Sequence, residues 1–231
     1  MEKKSKIWFL LLTVFMLIFI IMSNCKKDEE NDQTKVTDFD GNVYDTMTIG
    51  SQVWMIQNLK VTHYRNGEPI PNVTDGTAWE NLTTGAYCNY DHNSSNGNTY
   101  GRLYNWYVVN DSRKICPTGW HVPTDNEWST LRTNMGGESA AGGKLKEIGT
   151  THWETPNTGA NNESGFTALP GGYCGYNSGT FSQIGESGNW WSSTEENSNS
   201  AWSWLLLYNY SGLQRHSNYK NNGFSVRCIK G

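Results

Sequence analysis

Apolar residues recur in short runs along this chain, and several runs have the length and composition of β-strands. Residues 43–49 and 53–56 flank Gly50-Ser51, and glycine followed by a small polar residue fits a type II′ hairpin turn. Three further strand-like segments lie near the C-terminus: residues 202–210, 213–217 and 223–229. The pattern therefore predicts short strands at both ends of one domain.

Helical spacing appears between these strands. Thr124 followed by Glu127 predicts a capping box, in which hydroxyl and carboxylate each satisfy an amide of the first helical turn. Trp128 and Leu131 share one face of that helix, so both are expected in the core. Residues 101–109 are predicted to form a short helix with Leu103, Trp106 and Tyr107 packed inward.

Another helix is predicted at residues 139–148, with Leu145 and Ile148 buried and Lys146 exposed. Gly142 and Gly143 weaken it by about 1 kcal/mol each, which indicates close packing against a neighbour. Residues 150–194 are dense in Gly, Asn, Ser and Thr and are predicted to be mostly loop.

The N-terminus reads as a bacterial lipoprotein signal peptide over residues 1–24. Lysines precede the apolar run 7–22, and small or polar residues precede Cys25, which would be lipidated. An uncleaved membrane anchor is the alternative, although the run is short for a bilayer span. Residues 25–40 are expected to form a polar tether. Its acidic part resembles a surface-export signal, and an ordinary linker is the alternative. We therefore expect an outer-membrane protein that faces outward.

Composition narrows the class of protein. The chain has 11 Trp, 12 Tyr and 24 Gly but only 17% charged residues, which is typical of loop-rich extracytoplasmic domains with aromatic cores. The formal net charge of -4 argues against nucleic acid as a partner, since phosphate binding needs clustered Lys and Arg.

The cysteines predict disulfides. Setting aside Cys25 leaves an even set, for which three connectivities are possible in an oxidising compartment: Cys88, Cys116, Cys174 and Cys228. If residues 120–122 pair antiparallel with residues 224–226, Cys116 meets Cys228 and Cys88 is left with Cys174. A zinc site is the alternative interpretation of four cysteines, but these cysteines lack the close CxxC pairs that zinc sites usually contain.

Three motifs give the domain a family resemblance. Residues 116–124 read Cys-Pro-Thr-Gly-Trp-His-Val-Pro-Thr, residues 190–195 Trp-Trp-Ser-Ser-Thr-Glu, and residues 223–228 Gly-Phe-Ser-Val-Arg-Cys. In this order they resemble the Fibrobacter succinogenes major paralogous domain family over residues 41–231. That family is regarded as a branch of the C-type lectin-like superfamily. The resemblance implies an α+β C-type lectin-like fold with two helices, small antiparallel sheets and long loops.

Ligand sites in that superfamily are usually built in the long loops, here about residues 159–204. Carboxylate and amide oxygens in this region could bind calcium, and the tryptophan rings beside them could stack on a sugar. The sequence motifs of calcium-dependent lectins are missing, however. Alternatively the tryptophans are core and the carboxylates face solvent. The candidate ligand-binding residues are Trp190, Trp191, Glu195, Glu196, Asn197 and Trp202.

The superfamily also contains formylglycine-generating enzymes, whose Arg-Leu-Pro-Thr-x-x-Glu-Trp motif residues 121–128 resemble. Those enzymes bind copper with two free cysteines, whereas here all four are expected in disulfides. The five histidines are scattered, so we expect no catalytic residue, no enzyme and no required cofactor. The sequence favours a surface lipoprotein that recognises a polysaccharide or a protein partner. An enzyme and a structural surface protein are the alternatives.

Overall fold

The computed structural model describes residues 35–231. The predicted signal peptide, the lipidation residue Cys25 and most of the tether lie outside this range. Within it, the chain is a mixed α+β structure dominated by short strands, and no helix is both long and apolar enough to cross a bilayer.

The described part of the chain contains thirteen strands and five α-helices. The strands are β1 (Val36–Thr37), β2 (Val43–Tyr44), β3 (Thr46–Ile49), β4 (Gln52–Met55), β5 (Tyr87–Cys88), β6 (Leu103–Tyr104), β7 (Trp120–His121), β8 (Gly171–Cys174), β9 (Phe181–Ile184), β10 (Ser187–Glu195), β11 (Ser200–Leu207), β12 (Gln214–Tyr219) and β13 (Ile229–Lys230). The helices are α1 (Gly76–Glu80), α2 (Ser94–Tyr100), α3 (Trp106–Val109), α4 (Asp125–Asn134) and α5 (Ala141–Leu145). A 3-10 turn spans Tyr90–His92.

Two sheets organise the domain. The larger has the order β12-β11-β10-β8-β9, and the smaller has the order β3-β4-β13-β7. Strands from both ends of the folded domain meet in the smaller sheet, where Ile229 of β13 is the register partner of both Trp54 and His121. Most of residues 150–194 lies outside strands and helices, as predicted, but β8, β9 and most of β10 also fall within this region and were not predicted. These strands contain glycines and polar residues, which interrupt the alternation of apolar and polar positions that indicates a strand.

The predicted hairpin is present. Ile49 of β3 is the register partner of Gln52 of β4, so Gly50 and Ser51 form a two-residue turn. Gly50 has a φ of 61°, which the first position of a type II′ turn requires and which glycine adopts without strain.

Helix α4 begins as the sequence predicts. Thr124 accepts a hydrogen bond from the Glu127 amide and the Glu127 carboxylate accepts one from the Thr124 amide, which completes the capping box. The cap orients the buried face of the helix, so Trp128 stacks on Trp204 of the larger sheet with ring centroids 6.1 Å apart. Trp54 of the smaller sheet approaches the same ring at 4.9 Å, and α4 therefore joins the two sheets through one aromatic cluster.

The disulfide between Cys116 and Cys228 is confirmed, but the strand pairing that suggested it was wrong. Strand β7 pairs with β13, so its partner lies beyond Cys228 rather than before it. Residues 223–225 instead make isolated bridges to three separate segments, at Cys174, Tyr104 and Trp190. This segment is therefore a junction between sheets, which a single strand pair could not predict.

Two predicted helices are shorter than expected. Leu103 belongs to β6, so only Trp106–Val109 of the first is helical. In the second, Ile148 is 62% exposed, whereas Lys146 is fully buried. The Lys146 Nζ donates hydrogen bonds to three backbone carbonyls, those of Thr158, Leu207 and Tyr210, at 2.9 to 3.1 Å. Because these three acceptors satisfy the ammonium group, Lys146 can be buried where the prediction placed Ile148 in the interior.

The close packing predicted from the two glycines of α5 is present. A Cβ on Gly142 would lie 2.1 Å from the Gly212 carbonyl oxygen, and one on Gly143 would lie 2.4 Å from that of Gly159.

The tether is shorter than the predicted residues 25–40. Strand β1 pairs with β2, and the Asp38 carboxylate accepts hydrogen bonds from the Tyr44 hydroxyl at 2.6 Å and from the Asn42 amide at 2.9 Å. The folded domain therefore includes Val36 and Asp38. The sequence did not indicate this because the two-residue strand is too short to show a pattern.

Candidate ligand-binding cleft

The two tryptophans predicted to bind ligand are core residues. Trp190 and Trp191 are each 0% exposed, and their indole nitrogens donate to Asn58 Oδ1 and to the Tyr104 carbonyl, both at 2.8 Å. Consecutive strand residues point to opposite faces of a sheet, and here both faces of β10 are covered. A ligand has no access to either ring, so the core alternative is correct for this pair.

The predicted acidic loop is occupied by its own contacts. Glu195 pairs with Lys220, and Glu196 accepts from the Ser217 hydroxyl and from the Asn197 amide. Asn197 Oδ1 accepts from backbone amides two and three residues ahead, which is the geometry of a turn. These residues do not fit a calcium site, because the carboxylates do not converge. No group of three or more His, Cys, Asp or Glu side chains in residues 35–231 could hold a metal ion.

Trp202, the last predicted site residue, is partly covered. The Arg215 guanidinium lies 3.3 Å from the centre of its ring, and Asp125 holds that guanidinium through hydrogen bonds of 2.8 and 2.9 Å. One face of the indole is thus already occupied by a cation.

The structure contains a different candidate site, which we call the tyrosine cleft. It has a volume of about 560 Å³, within the range of ligand-binding pockets. Its aromatic and apolar lining is Tyr173, Tyr176, Tyr219, Phe224, Leu205 and Gly175, and its polar lining is Asn177, Asn189, Asn218, Asn222, Ser200, Ser217 and His216. The larger sheet forms the floor, while the loop after β8 and the end of β12 form the walls.

Two exposed tyrosines mark the cleft. Tyr176 is 42% exposed and Tyr219 is 50% exposed, and their ring centroids are 4.5 Å apart at an interplanar angle of 47°. Covering such exposed rings with a ligand is favourable, because it removes apolar surface from water. The pair therefore offers apolar surface directly beside the polar groups of the cleft.

Backbone contacts fix the position of both walls. The Tyr176 amide donates to Asn222 Oδ1 at 2.9 Å, and the Asn222 amide donates to the Tyr219 carbonyl at 2.9 Å. Asn222 thus links the two tyrosines. Beneath them, Cys174 and Gly223 exchange two backbone hydrogen bonds of 2.8 and 3.0 Å. The cleft is consequently shaped before any ligand binds, which reduces the entropic cost of binding.

Several polar groups of the cleft have no partner within the described residues. The hydroxyls of Tyr173, Tyr176 and Tyr219 and the Asn177 amide make no hydrogen bond to protein there. Asn222 uses only its Oδ1 and leaves its Nδ2 free. The cleft therefore combines aromatic faces with hydrogen-bond donors and acceptors that a ligand can use.

The predicted second disulfide is not formed. Cys88 of β5 and Cys174 of β8 are free thiols, both buried, in one core cluster with Trp79 and Leu103. Burial, together with a hydrogen bond to Cys174, raises the pKa of the Cys88 thiol, so it stays protonated and unreactive at neutral pH. The crevice beside Cys174 leaves no space for a water molecule.

Histidines are the remaining candidates for chemistry. His121 Nε2 lies 2.9 Å from Glu127 Oε1, and His152 Nδ1 lies 2.8 Å from Glu147 Oε2. The first pair belongs to the cap of α4, which gives His121 a structural role. Neither pair lies in the tyrosine cleft, whose one histidine is His216.

Sequence reasoning found one half of the cleft and missed the other. Tyr173 to Asn177 lie within the predicted ligand region, residues 159–204, but no single residue there was singled out. Strand β12 was predicted as residues 213–217 and given no function. Its polar sequence Arg-His-Ser-Asn-Tyr, on a strand at the edge of the sheet, is the signal that could have indicated an exposed functional surface.

Comparison with known proteins gives one result. No curated protein and no solved structure matches the chain. The sequence model of a family described as the Fibrobacter succinogenes major domain matches residues 47–230. This range contains all three motifs, the capped helix α4, the disulfide and the tyrosine cleft, and the chain therefore belongs to the Fibrobacter succinogenes major domain family.

Proposed function

We propose that this protein is a surface lipoprotein whose domain recognises a polysaccharide through the tyrosine cleft. The observation that carries the proposal is the pair of exposed rings, Tyr176 and Tyr219, 4.5 Å apart beside a cleft lined by amides and hydroxyls. Sugar rings present apolar C–H faces and a rim of hydroxyls, so they need both kinds of surface. The cleft supplies both in one place.

The proposal includes a C-type lectin-like fold for the domain. Two features support it: β3 and β4, near the start of the domain, share a sheet with the last strand β13, and a capped helix packs between two sheets. In that architecture ligands are expected in the long loops, and the loop after β8 that carries Tyr176 belongs to this region.

We further propose that lipidation at Cys25 anchors the protein to the outer membrane, facing outward. The basic, apolar and small-residue order before Cys25 supports this. Metabolic labelling with a fatty-acid analogue should mark the wild-type protein and leave Cys25→Ser unlabelled. Protease treatment of intact cells should then remove the domain if it faces outward and spare it if it faces the periplasm.

The binding proposal is tested on the mature chain carrying Cys25→Ser, which leaves residues 35–231 unchanged. We expect it to bind a defined class on a glycan array, and Tyr176→Ala and Tyr219→Ala each to weaken that binding about tenfold. Phe39→Ala is the matched control, because Phe39 is also an exposed aromatic residue, 56% exposed, but does not line the cleft. An equal loss in the control would show that the cleft is not the site.

A second candidate function is an enzyme related to the formylglycine-generating kind. One observation favours it, namely that Cys88 and Cys174 are free and adjacent. Their burial opposes it, since a substrate cannot reach them. Alkylation of the native protein distinguishes the two functions: rapid labelling of either thiol would favour the enzyme, and labelling only after unfolding would favour the recognition domain.

A further inference from the structure

The charges around the tyrosine cleft define the class of glycan more narrowly. We propose that the cleft selects uncharged glycans over those that carry carboxylate, sulfate or phosphate groups, and that it binds them without a metal ion. This inference rests on the proposed function and specifies its ligand.

The lining itself contains no fixed charge. None of the described residues that line the cleft is Lys, Arg, Asp or Glu. An anionic sugar would lose part of its hydration on entering and would gain no cation in return, which is costly. A neutral sugar loses only hydroxyl hydration, and the free amides and phenol hydroxyls can replace it.

A carboxylate contacts the rim of the cleft. Glu196 accepts a hydrogen bond from the hydroxyl of Ser217, which lines the cleft, and one from Asn197. Among the described residues no cation pairs with Glu196, whereas the adjacent Glu195 is paired with Lys220. Because an unpaired carboxylate at the entrance repels other anions, the rim adds to the selectivity of the lining.

The amides of the cleft suit hydroxyl ligands. The Asn189 Nδ2 donates to the Ser187 hydroxyl, and the Asn218 Nδ2 donates to the Ser203 hydroxyl. The Oδ1 of each asparagine is therefore free to accept a hydrogen bond from a ligand. Asn222 keeps its Nδ2 as a donor. A sugar hydroxyl both donates and accepts, so it can bond to either kind of group, whereas a carboxylate or sulfate oxygen only accepts.

The experiment uses the mature chain with Cys25→Ser at pH 8, where imidazole is ordinarily neutral. The probes are neutral polysaccharides, namely β-1,3-glucan, β-1,4-glucan, mannan and xylan, each compared with its carboxymethylated form, and the chelator EDTA is added to a parallel set. We expect binding to a neutral probe, at least tenfold weaker binding to its carboxymethylated form, and no change with EDTA.

Two lysine variants test the charge argument directly. Asn177→Lys places a cation in the lining and should restore binding of the carboxymethylated probe. Asn209→Lys adds the same charge at an exposed position outside the lining and should not. Tyr219→Ala should weaken binding of the neutral probe about tenfold, as in the first experiment.

The outcomes separate the two proposals. Equal binding of neutral and carboxymethylated probes, with sensitivity to Tyr219→Ala, would overturn the selectivity and leave the proposed function standing. Loss of binding in EDTA would overturn the metal-free part. Binding to no probe of either kind would overturn the proposed function and this inference together.

Discussion

Arg227 is a fully buried cation whose partners in the described structure are all neutral. Its Nε and one terminal nitrogen donate to Asn58 Oδ1 at 3.1 and 2.8 Å, and the other terminal nitrogen donates to the Phe166 carbonyl. Burial lowers its pKa to about 9. Because Asn58 Oδ1 also accepts from the Trp190 indole, one amide oxygen satisfies two buried residues.

We therefore expect Asn58→Ala to be among the most damaging single substitutions in the domain. It removes the acceptor of Arg227 and Trp190, and stranding a buried charge costs about 3–5 kcal/mol. Arg227→Met should cost less, because it removes the charge along with its need for a partner. Urea unfolding followed by tryptophan fluorescence measures both.

Asn134→Ala is the control for Asn58→Ala. Asn134 is exposed at the end of α4, and its loss should change the free energy of unfolding by no more than about 0.5 kcal/mol. A cost for Arg227→Met as large as that for Asn58→Ala would contradict the argument, since it would mean that the charge itself stabilises the fold.

At the scale of the element, the cap of α4 links stability to pH. Burial alone would raise the pKa of Glu127, but hydrogen bonds from Thr124 and His121 outweigh it and hold the pKa below the ordinary 4.5. A carboxylate with a lowered pKa in the folded state stabilises the protein above the unfolded value. That contribution disappears as the pH falls from about 4.5 through the folded pKa.

Glu127→Gln should remove this pH dependence. We expect it to lower the free energy of unfolding by about 0.5–1 kcal/mol at pH 7. As the pH falls below 4.5 and through the lowered folded pKa, the difference from wild type should shrink toward zero, because the wild-type carboxyl then becomes protonated as well. Urea unfolding at pH 7, 4.5 and 3.5 gives the comparison, and a difference that stays constant with pH would contradict the role of the carboxylate.

The elements that sequence predicted well are those specified locally. A capping box needs residues only three positions apart, and the β3–β4 turn needs only Gly50 and its neighbour, so both were confirmed. The pairing of residues 223–226 depends on several segments, some of them more than a hundred residues away in the chain. The pairing predicted from sequence for these residues was therefore wrong. Likewise a pattern can show that Trp190 and Trp191 lie on a strand, but not that both faces of that strand are covered.

At the scale of the whole molecule, the candidate site could not be predicted from sequence for the same reason. Tyr176 and Tyr219 are 43 positions apart in the chain and meet only because Asn222 and Gly223 bring the end of β12 to the loop after β8. A sequence shows each tyrosine alone, among twelve. Family membership, the α+β class and the first disulfide could be predicted, whereas the cleft required the fold.

The disulfide and the thiol pair should contribute very differently to the stability of the whole domain. The Cys116–Cys228 bridge spans a sequence separation of 112, and a cross-link over so long a loop restricts the unfolded chain strongly. Removing it with Cys116→Ala and Cys228→Ala should cost about 2–5 kcal/mol. Cys88 and Cys174 form no cross-link, so a reducing agent should destabilise a Cys88→Ala/Cys174→Ala protein as much as it destabilises wild type.

Thiol titration of the mature chain with Cys25→Ser tests the same arrangement by counting the reactive thiols per molecule. Without reductant, we expect no thiol to react in the native protein and two per molecule to react after unfolding, because both free cysteines are buried. After reduction the unfolded chain should give four. Should unfolding without reductant release none, the two buried thiols must be joined as a second bridge. The effect of reductant on stability would then come from two cross-links, and the double alanine variant would respond less than wild type.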